Sequence, residues 1–171
     1  MNPELHHYRS ESVDDLVEEW RGVLPEAEVE AKAITSRIAR LHHLIRLRIE
    51  AALDTLGLSD SEFRLLAGLR RSGAPFRLSP SEITARYLPM TSGGATALID
   101  RLETRGLVAR SANPADRRGV YVSLTEAGKA LAEEAMRQVL AVETEVVSAL
   151  NPRSRKSHIA ALSALMGAAL E

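Results

Sequence analysis

The sequence contains no cysteine, few aromatic residues (4% of 171 positions) and no long apolar run. Without cysteine the chain cannot form disulfides or use thiolate chemistry, which fits a reducing compartment. No apolar run approaches the roughly 18 residues that a membrane-spanning helix needs. The N-terminal residues, MNPELHHYRSESVDDL, have neither the apolar core nor the basic leader of an export signal. We therefore expect a cytoplasmic protein without a membrane partner.

Sequence patterns typical of enzymes are also missing. No glycine-rich phosphate loop, nucleophile elbow or paired-carboxylate arrangement stands out. The histidine pairs His6-His7 and His42-His43 are poor metal ligands, because adjacent helical residues point about 100° apart and each pair offers one ligand. We predict no enzymatic activity, no cofactor and no metal site.

The charges that are present are distributed unevenly along the chain. Hydrophobic residues make up 45% and charged residues 26%, as in an ordinary soluble globular protein. The formal net charge is only −1, yet arginines concentrate at 37–48, 64–86 and 101–118, whereas acidic residues crowd into 11–30 and 126–145. Because nucleic-acid binding depends on where positive charge lies, the basic middle of the chain leaves that function open.

Apolar residues at three-to-four-residue steps predict a mainly helical chain. A long amphipathic helix covers about 31–53 and ends near Gly57, and another helix precedes it near 13–23. The sequence Ser59-Asp60-Ser61-Glu62 combines a capping serine with acidic residues and predicts the start of another helix. That helix stops at Ser72-Gly73.

Two further helices are spaced as in a helix-turn-helix. Ser79-Pro80-Ser81-Glu82 supplies a cap and a proline at the first helical position, which opens a short helix to about Tyr87. Pro89 lies in the turn, and Thr91-Ser92 caps the next helix. This second helix ends at Arg105-Gly106, a basic last turn followed by a glycine.

A β-hairpin with a basic tip follows the helix-turn-helix. Two β-prone runs, 107–111 and 120–124, flank a tip built from Asn113-Pro114 and Gly119. The tip carries three charged residues, namely Asp116, Arg117 and Arg118. Such a hairpin can act as a wing that contacts phosphates or a minor groove, where negative potential favours arginine. The alternative is a solvated loop with a chance cluster of charges.

Two helices complete the chain, one starting at Thr125-Glu126 and one after Asn151-Pro152. These helices and the long helix at 31–53 keep apolar stripes to their ends. The simplest cover for such stripes is the same helices of a second copy. The alternative is that the outer helices pack only on each other.

A helix-turn-helix followed by a wing is a device for binding duplex DNA, because the second helix fits the major groove. Its inward stripe is predicted to be Ala95, Leu98, Ile99 and Leu102. The candidate DNA contacts on the two helices are Ser81, Thr91, Ser92, Gly93, Gly94, Thr96, Ala97 and Arg101, and those on the wing are Asp116, Arg117 and Arg118. The two glycines allow close approach to phosphates, or else serve only looser packing of the turn.

The same stretch resembles the DNA-binding core of MarR-family winged-helix regulators. The matching motifs are Ile99-Asp100-Arg101-Leu102-Glu103, Gly106-Leu107-Val108, Asp116-Arg117-Arg118 and Leu124-Thr125-Glu126-Ala127-Gly128. The resemblance implies a homodimer with interlocked terminal helices and two winged-helix lobes on successive major grooves. It also implies repression of a neighbouring gene and release of DNA when a small anionic or aromatic molecule binds.

The N-terminal segment resembles one branch of this family. Val17-Glu18-Glu19-Trp20 is similar to an extra leading helix in relatives that respond to urate and related organic anions, where the tryptophan lines a pocket. This chain departs from the branch at two places. It has Phe63-Arg64 where an acidic residue is usual and Ala97-Leu98 where a polar pair is common. The departures argue against a response to urate itself. The loss of the polar pair also leaves more of the base recognition to Thr91, Ser92 and Thr96.

A ligand pocket, if formed, is predicted to be basic and to suit a carboxylate or phenolate. Its candidate residues are Trp20, His42, Arg46, Phe63 and Arg64. Two alternatives stay open at this point. Trp20 can be a simple hydrophobic anchor, and the arginines can be solvated residues on helix faces.

These patterns predict one structural domain, mainly α with a small β-hairpin wing. Residues 1–57 supply dimerisation helices and the possible pocket, 58–125 form the winged helix-turn-helix, and 126–171 supply further dimerisation helices. The expected function is a homodimeric repressor that binds a pseudo-palindromic duplex operator and is released by a small organic effector. The alternatives are a winged-helix protein-interaction module without DNA readout, or an α-helical small-molecule-binding protein.

Overall fold

A computed structural model describes residues 12–113 and 116–170, apart from the side chains of residues 27 and 116–118. The first four helices are α1 (Val13–Arg21), α2 (Glu26–Asp54), α3 (Asp60–Arg71) and α4 (Pro80–Arg86). The remaining helices are α5 (Ser92–Thr104), α6 (Glu126–Ser148) and α7 (Arg155–Ala168), the last of which follows a 3₁₀ turn at Pro152–Ser154. Three strands form the sheet, namely β1 (Arg77–Leu78), β2 (Val108–Asn113) and β3 (Asp116–Leu124).

The predicted capping residues begin the helices of the winged-helix region. Ser59 and Glu62 form a complete capping box at the start of α3, and Ser79 and Glu82 form another at the start of α4. Each box satisfies backbone N–H groups that a helix leaves without internal partners. The helix starts predicted from these serines are therefore confirmed.

The three strands form an antiparallel sheet in the order β1-β3-β2. The predicted hairpin is present, but β1 was not predicted, because two residues are too few to show alternating polarity. The strands are also longer than predicted, so that Gly119 lies within β3 and not in the turn. The register jumps from Ala112 opposite Val120 to Asn113 opposite Asp116, which makes residues 117–119 a bulge in β3.

The core of the molecule lies beneath the winged-helix region. The predicted inward residues of α5 are all buried, and Leu98, Ile99 and Leu102 pack in one cluster with leucines of α3 and with Val122 of β3. Leu66, Leu69 and Leu102 have no exposed surface. Burying a leucine side chain contributes about 1.5–3 kcal/mol, so this cluster holds α3, α5 and the sheet as one unit.

One close backbone approach fixes where α6 begins. A Cβ on Gly128 would lie 1.8 Å from the carbonyl oxygen of Leu107, so that only glycine fits there. Thr125, the N-cap of α6, donates from Oγ1 to the carbonyl of Gly106 at 2.7 Å, and its backbone N–H donates to the carbonyl of Leu107 at 3.1 Å. The end of α5 and the start of α6 are thus joined directly.

The outer helices leave apolar side chains uncovered. Helix α2 packs along α6 and α1, yet Ile34, Ile38 and Leu41 remain exposed. Helix α7 has no buried residue among those described. Its exposed apolar side chains are Ile159, Leu162, Leu165 and Met166.

Candidate nucleic-acid interface and ligand cleft

Helices α4 and α5 form the predicted helix-turn-helix, with the N-terminal end of α5 exposed. Thr91 caps α5 by accepting a hydrogen bond at Oγ1 from the backbone N–H of Gly94 at 3.2 Å. The other predicted contacts on this end are exposed, namely Ser92, Gly93, Gly94, Thr96 and Ala97. This end presents unpaired backbone N–H groups and the positive end of the helix dipole, which together favour an anion.

The exposed face of α5 carries mostly small side chains. Gly93, Ala97 and Arg101 are spaced four residues apart and lie in one row, with Arg101 exposed at its C-terminal end. A Cβ on Gly93 would have no neighbour within 4 Å, so packing within the chain does not require a glycine there. Thr96 donates its hydroxyl hydrogen to the carbonyl of Ser92 at 3.0 Å. Ser81 is exposed on α4, with its hydroxyl 3.1 Å from that of Ser79.

The wing tip is described only by its backbone. Asp116, Arg117 and Arg118 lie at the start of β3, while their side chains lie outside the described residues. Their predicted roles as DNA contacts therefore stay predictions.

Arg110 of β2 joins the wing to α5, which the sequence did not reveal. Its guanidinium donates to Asp100 Oδ1 at 2.6 Å and also to Glu103 Oε2. Its backbone N–H donates to Glu103 Oε1 at 3.0 Å. Burial lowers the pKa of Arg110, but hydrogen bonds to both carboxylates outweigh burial and place its pKa above the ordinary value.

A second arginine, Arg105, holds the other end of α5. It donates to Glu62 Oε1 at 3.0 Å and to the carbonyl of Gly57 at 3.1 Å. Glu62 is 8% exposed and also accepts hydrogen bonds from Ser59. Burial raises the pKa of Glu62, but the Ser59 hydrogen bonds and the charge of Arg105 outweigh burial, and the pKa lies below its ordinary value. The end of α5 is therefore tied to the start of α3 and to the turn after α2.

A cleft of about 900 Å³ opens between α3 and α6. Two of the five predicted ligand residues, Phe63 and Arg64, line it. Its other lining residues are Ala67, Arg70, Arg71, Gly73, Glu133, Met136, Arg137, Val139, Leu140 and Glu143. Apolar walls with several guanidinium groups suit a small organic anion that has an apolar ring.

Trp20, His42 and Arg46 are not among the residues that line this cleft. Trp20 lies on α1, which packs along α2, and the ammonium of Lys32 is 5.6 Å from its ring. Arg46 is held by Asp60 at 3.0 Å and Glu50 at 2.7 Å, and His42 is exposed. Arg46 and Arg64 share Asp60, whose carboxylate lies 3.0 Å from Arg46 and 3.9 Å from Arg64. The grouping of all five residues as one ligand site stays a prediction.

One ion pair, Arg70–Glu133, spans the cleft. Arg70 donates from Nε to Glu133 Oε1 at 2.8 Å and lies 4.8 Å from the Phe76 ring. The hydrogen bond from Arg70 holds the pKa of Glu133 below its ordinary value. The sequence contained a signal for this cleft, because Arg64, Ala67 and Arg71 share one face of α3.

Neither a metal-binding cluster nor a membrane-spanning helix is found in the described part of the chain. In the ranges described, no group of three His, Asp or Glu residues could hold a metal ion, and His6-His7 lie outside them. Among the described helices, none is both long and apolar enough to span a bilayer.

Comparisons with known proteins agree with this geometry. Residues 56–119 match the model of the MarR family. The regulator PecS of Dickeya dadantii is 33% identical over 150 residues, which cover 88% of this chain and 89% of PecS. MarR of Escherichia coli, solved with operator DNA, has a TM-score of 0.61 at 27% identity and covers 79% of this chain and 94% of its own. BpsR of Bordetella bronchiseptica, studied with 6-hydroxynicotinic acid, gives 0.63 at 26% identity, with 78% and 92% covered.

Fold, motifs and relatives agree along most of the chain. PecS carries the name of a helix-turn-helix transcriptional regulator, and the family model covers the helix-turn-helix and most of the wing. This chain belongs to the MarR family and is a DNA-binding transcriptional regulator of the winged-helix type.

Proposed function

We propose that this regulator binds a pseudo-palindromic operator as a homodimer, with α5 in the major groove and the wing on the flanking backbone or minor groove. The observation that carries this proposal is the exposed N-terminal end of α5, where Gly93 leaves open space beside unpaired N–H groups. Phosphates and base edges can approach such a helix end closely. As a bacterial-type regulator it is expected to act in the cytoplasm, where the chromosome lies.

Uncovered apolar side chains support the homodimer. Leu162 and Met166 of α7 are 50% and 68% exposed, and Ile34 and Leu41 of α2 are also exposed. A second copy covers the same patch on both partners, as two-fold symmetry requires. The two copies of α5 would then lie about 34–36 Å apart and contact half-sites one helical turn apart.

Few side chains on α5 can hydrogen-bond to bases. Gly93, Gly94 and Ala97 offer none, and the hydroxyl of Thr96 already donates to a backbone carbonyl. We therefore assign most of the affinity to phosphate contacts, including those of Arg117 and Arg118. Affinity that depends on phosphates falls steeply as salt rises, because bound counterions are released.

We assign the effector to the cleft between α3 and α6, and its class to small aromatic or apolar carboxylates. The cleft combines Phe63, Met136 and Leu140 with guanidinium groups of α3. The relative BpsR, whose DNA binding is regulated by 6-hydroxynicotinic acid, supports this class. Such a ligand changes DNA binding only if it binds one position of the winged-helix lobe more tightly than another. The cleft meets this requirement because it lies between α3 of the lobe and α6.

A salt-dependent gel shift with the DNA directly upstream of the gene tests the DNA proposal. Wild type is expected to shift this fragment far below the concentration needed for a random duplex of equal length. Arg117→Ala should weaken binding and lower the salt slope by about two, one for each protomer of the dimer. Arg153→Ala, at an exposed position before α7, is the matched control and should bind as wild type. Equal affinity for upstream and random DNA would exclude sequence-specific regulation.

A thermal-shift titration with benzoate and 6-hydroxynicotinic acid tests the effector proposal. Either compound should raise the melting temperature of the wild type, because a ligand that binds only the folded state stabilises it. Met136→Trp, which places a bulky ring in the cleft, should weaken that response, whereas Lys156→Gln on α7 should keep it. An unchanged response in Met136→Trp would place the ligand elsewhere.

A further inference from the structure

Arg110 connects the two elements of the proposed DNA interface through three hydrogen bonds. Two leave its guanidinium for Asp100 and Glu103, and the third leaves its backbone N–H for Glu103. The two carboxylates are three residues apart and therefore share one face of α5. Arg110 of β2 is thus bonded to the side of α5, the helix that is proposed to enter the major groove.

The outer part of the hairpin has little support from the sheet. Strand β1 pairs with β3 only at Arg77 opposite Ser123 and Leu78 opposite Val122. Arg110 also lies opposite Val122, level with the end of β1. Beyond this pair the hairpin has two strands, and its register breaks after Ala112. A two-stranded ribbon is only marginally stable in water and twists freely, so its direction depends on how its base is held.

We propose that Arg110 is a positioning residue that fixes the wing relative to α5, so that both elements fit the duplex at once. This inference rests on the proposed DNA interface, and Arg110 itself need not touch DNA. A guanidinium suits the role because its planar fork holds two acceptors in a fixed geometry. Lysine, a single point charge on a flexible stem, cannot reproduce that geometry.

The exposure of the three groups separates positioning from general stabilisation. The side chain of Arg110 is 28% exposed, and those of Asp100 and Glu103 are 57% and 38% exposed. Exposed ion pairs contribute little to folding stability. Loss of Arg110 should therefore change DNA binding much more than the melting temperature.

Spin labels measure the wing position without DNA. The chain has no cysteine, so Ala97→Cys on α5 and Ala112→Cys on the wing create one labelled pair. Labelled chains are diluted in unlabelled chains, so that each dimer carries one pair. With Arg110 in place the distance distribution should be narrow, and Arg110→Ala should broaden or shift it. The matched control is Arg86→Ala, which removes an exposed arginine from the last turn of α4 and should leave the distribution unchanged. An unchanged distribution in Arg110→Ala would overturn the proposal.

DNA binding gives the second measurement, with the upstream fragment and a random duplex of equal length. Arg110→Ala should weaken the upstream complex roughly tenfold, as expected for lost charge-assisted hydrogen bonds, and weaken the random complex less. Arg110→Lys should fail to restore affinity, and the melting temperature should fall by less than about 3 °C. Equal losses on both duplexes, or full rescue by lysine, would show that only charge matters and would overturn positioning. If wild type binds neither duplex, the proposed function fails, while the label distances still decide whether Arg110 holds the wing.

Discussion

The winged-helix lobe (residues 58–125) and helix α7 differ in the exposure of their apolar side chains. In the lobe, Leu66, Leu102 and Val122 have no exposed surface. On α7, Ile159 and Met166 are 65% and 68% exposed, although the helix has the same kind of apolar stripe. This difference indicates that the apolar core of the lobe is buried within one chain, whereas the apolar face of α7 is not covered by the same chain. Substitutions in the lobe should therefore lower the stability of the fold, whereas substitutions on the apolar face of α7 should weaken the dimer.

The largest expected effect comes from Leu162→Glu on α7. A dimer loses this leucine twice, and because each is 50% exposed in one chain, the lost burial costs about 1.5–3 kcal/mol in total. Two carboxylates in an apolar interface add to this cost, so the dissociation constant should rise roughly 100-fold or more. Sedimentation at several concentrations measures this change. Ala164→Glu, on the opposite face of the same helix, is the control and should leave the dimer intact. Dimers as tight as wild type in Leu162→Glu would show that α7 does not form the interface.

The corresponding change in the lobe is Leu66→Ala. Leu66 is fully buried, and truncating such a residue costs about 2–5 kcal/mol. Urea unfolding should show this loss, with the dimer still formed under native conditions. A change in association without a loss of unfolding free energy would contradict the contrast between the two regions.

A smaller effect is expected from Glu62→Gln at the base of α5. This change keeps the shape but weakens the bonds to Ser59 and Arg105, and should cost about 1–3 kcal/mol at neutral pH. Because folding lowers the pKa of Glu62 from its ordinary 4.5, its carboxylate stabilises the fold above that pH, and the contribution is lost as pH falls through the lowered pKa. Urea unfolding at pH 7 and at pH 3.5 should therefore show a difference between variant and wild type that shrinks in acid. A constant difference would mean that the charge of Glu62 is not what stabilises the fold.

The smallest effect on stability, and one of opposite sign, is expected from Gly93→Ala. Its Cβ meets no atom of the chain, and alanine is the better helix former by up to about 1 kcal/mol. The variant should be as stable as wild type or slightly more stable, yet bind DNA more weakly because the methyl group occupies the space beside the helix end. Thermal melting measures the stability, and a gel shift measures the affinity for DNA. Undiminished DNA binding would show that phosphates do not approach Gly93.

The fold of the lobe could be predicted from local chemistry. The capping boxes at Ser59 and Ser79 act over three residues, and the inward stripe of α5 follows from helical periodicity, so both are visible in sequence. Strand β1 was missed because its two residues exist as a strand only beside β3. The extended β3 and its bulge depend on a register that hydrophobic pattern does not set at a solvated tip.

The candidate sites were harder to predict because they depend on contacts between distant residues. The partners of Arg110 lie on another element, and the sequence offered no reason to choose Asp100 and Glu103 over other carboxylates. The cleft likewise needs α3 and α6 side by side, which brings Arg70 within reach of Glu133 across 63 positions of the chain. Trp20 was grouped with Phe63 by resemblance and Arg46 by its charge, and the sequence did not show that Asp60 lies between Arg46 and Arg64.

The contact at Gly128 has a consequence for building hybrid regulators. The start of α6 touches the backbone at Leu107, with no room for even a methyl group. No spacer can be inserted between lobe and helix without breaking this contact, so the lobe is not an interchangeable part. A chimera that keeps the operator preference of this chain should carry residues 58–125 together with at least the first turns of α6. The junction between the two parent sequences should lie further along α6, where an unbroken helix keeps the lobe in a fixed orientation relative to the rest of the hybrid.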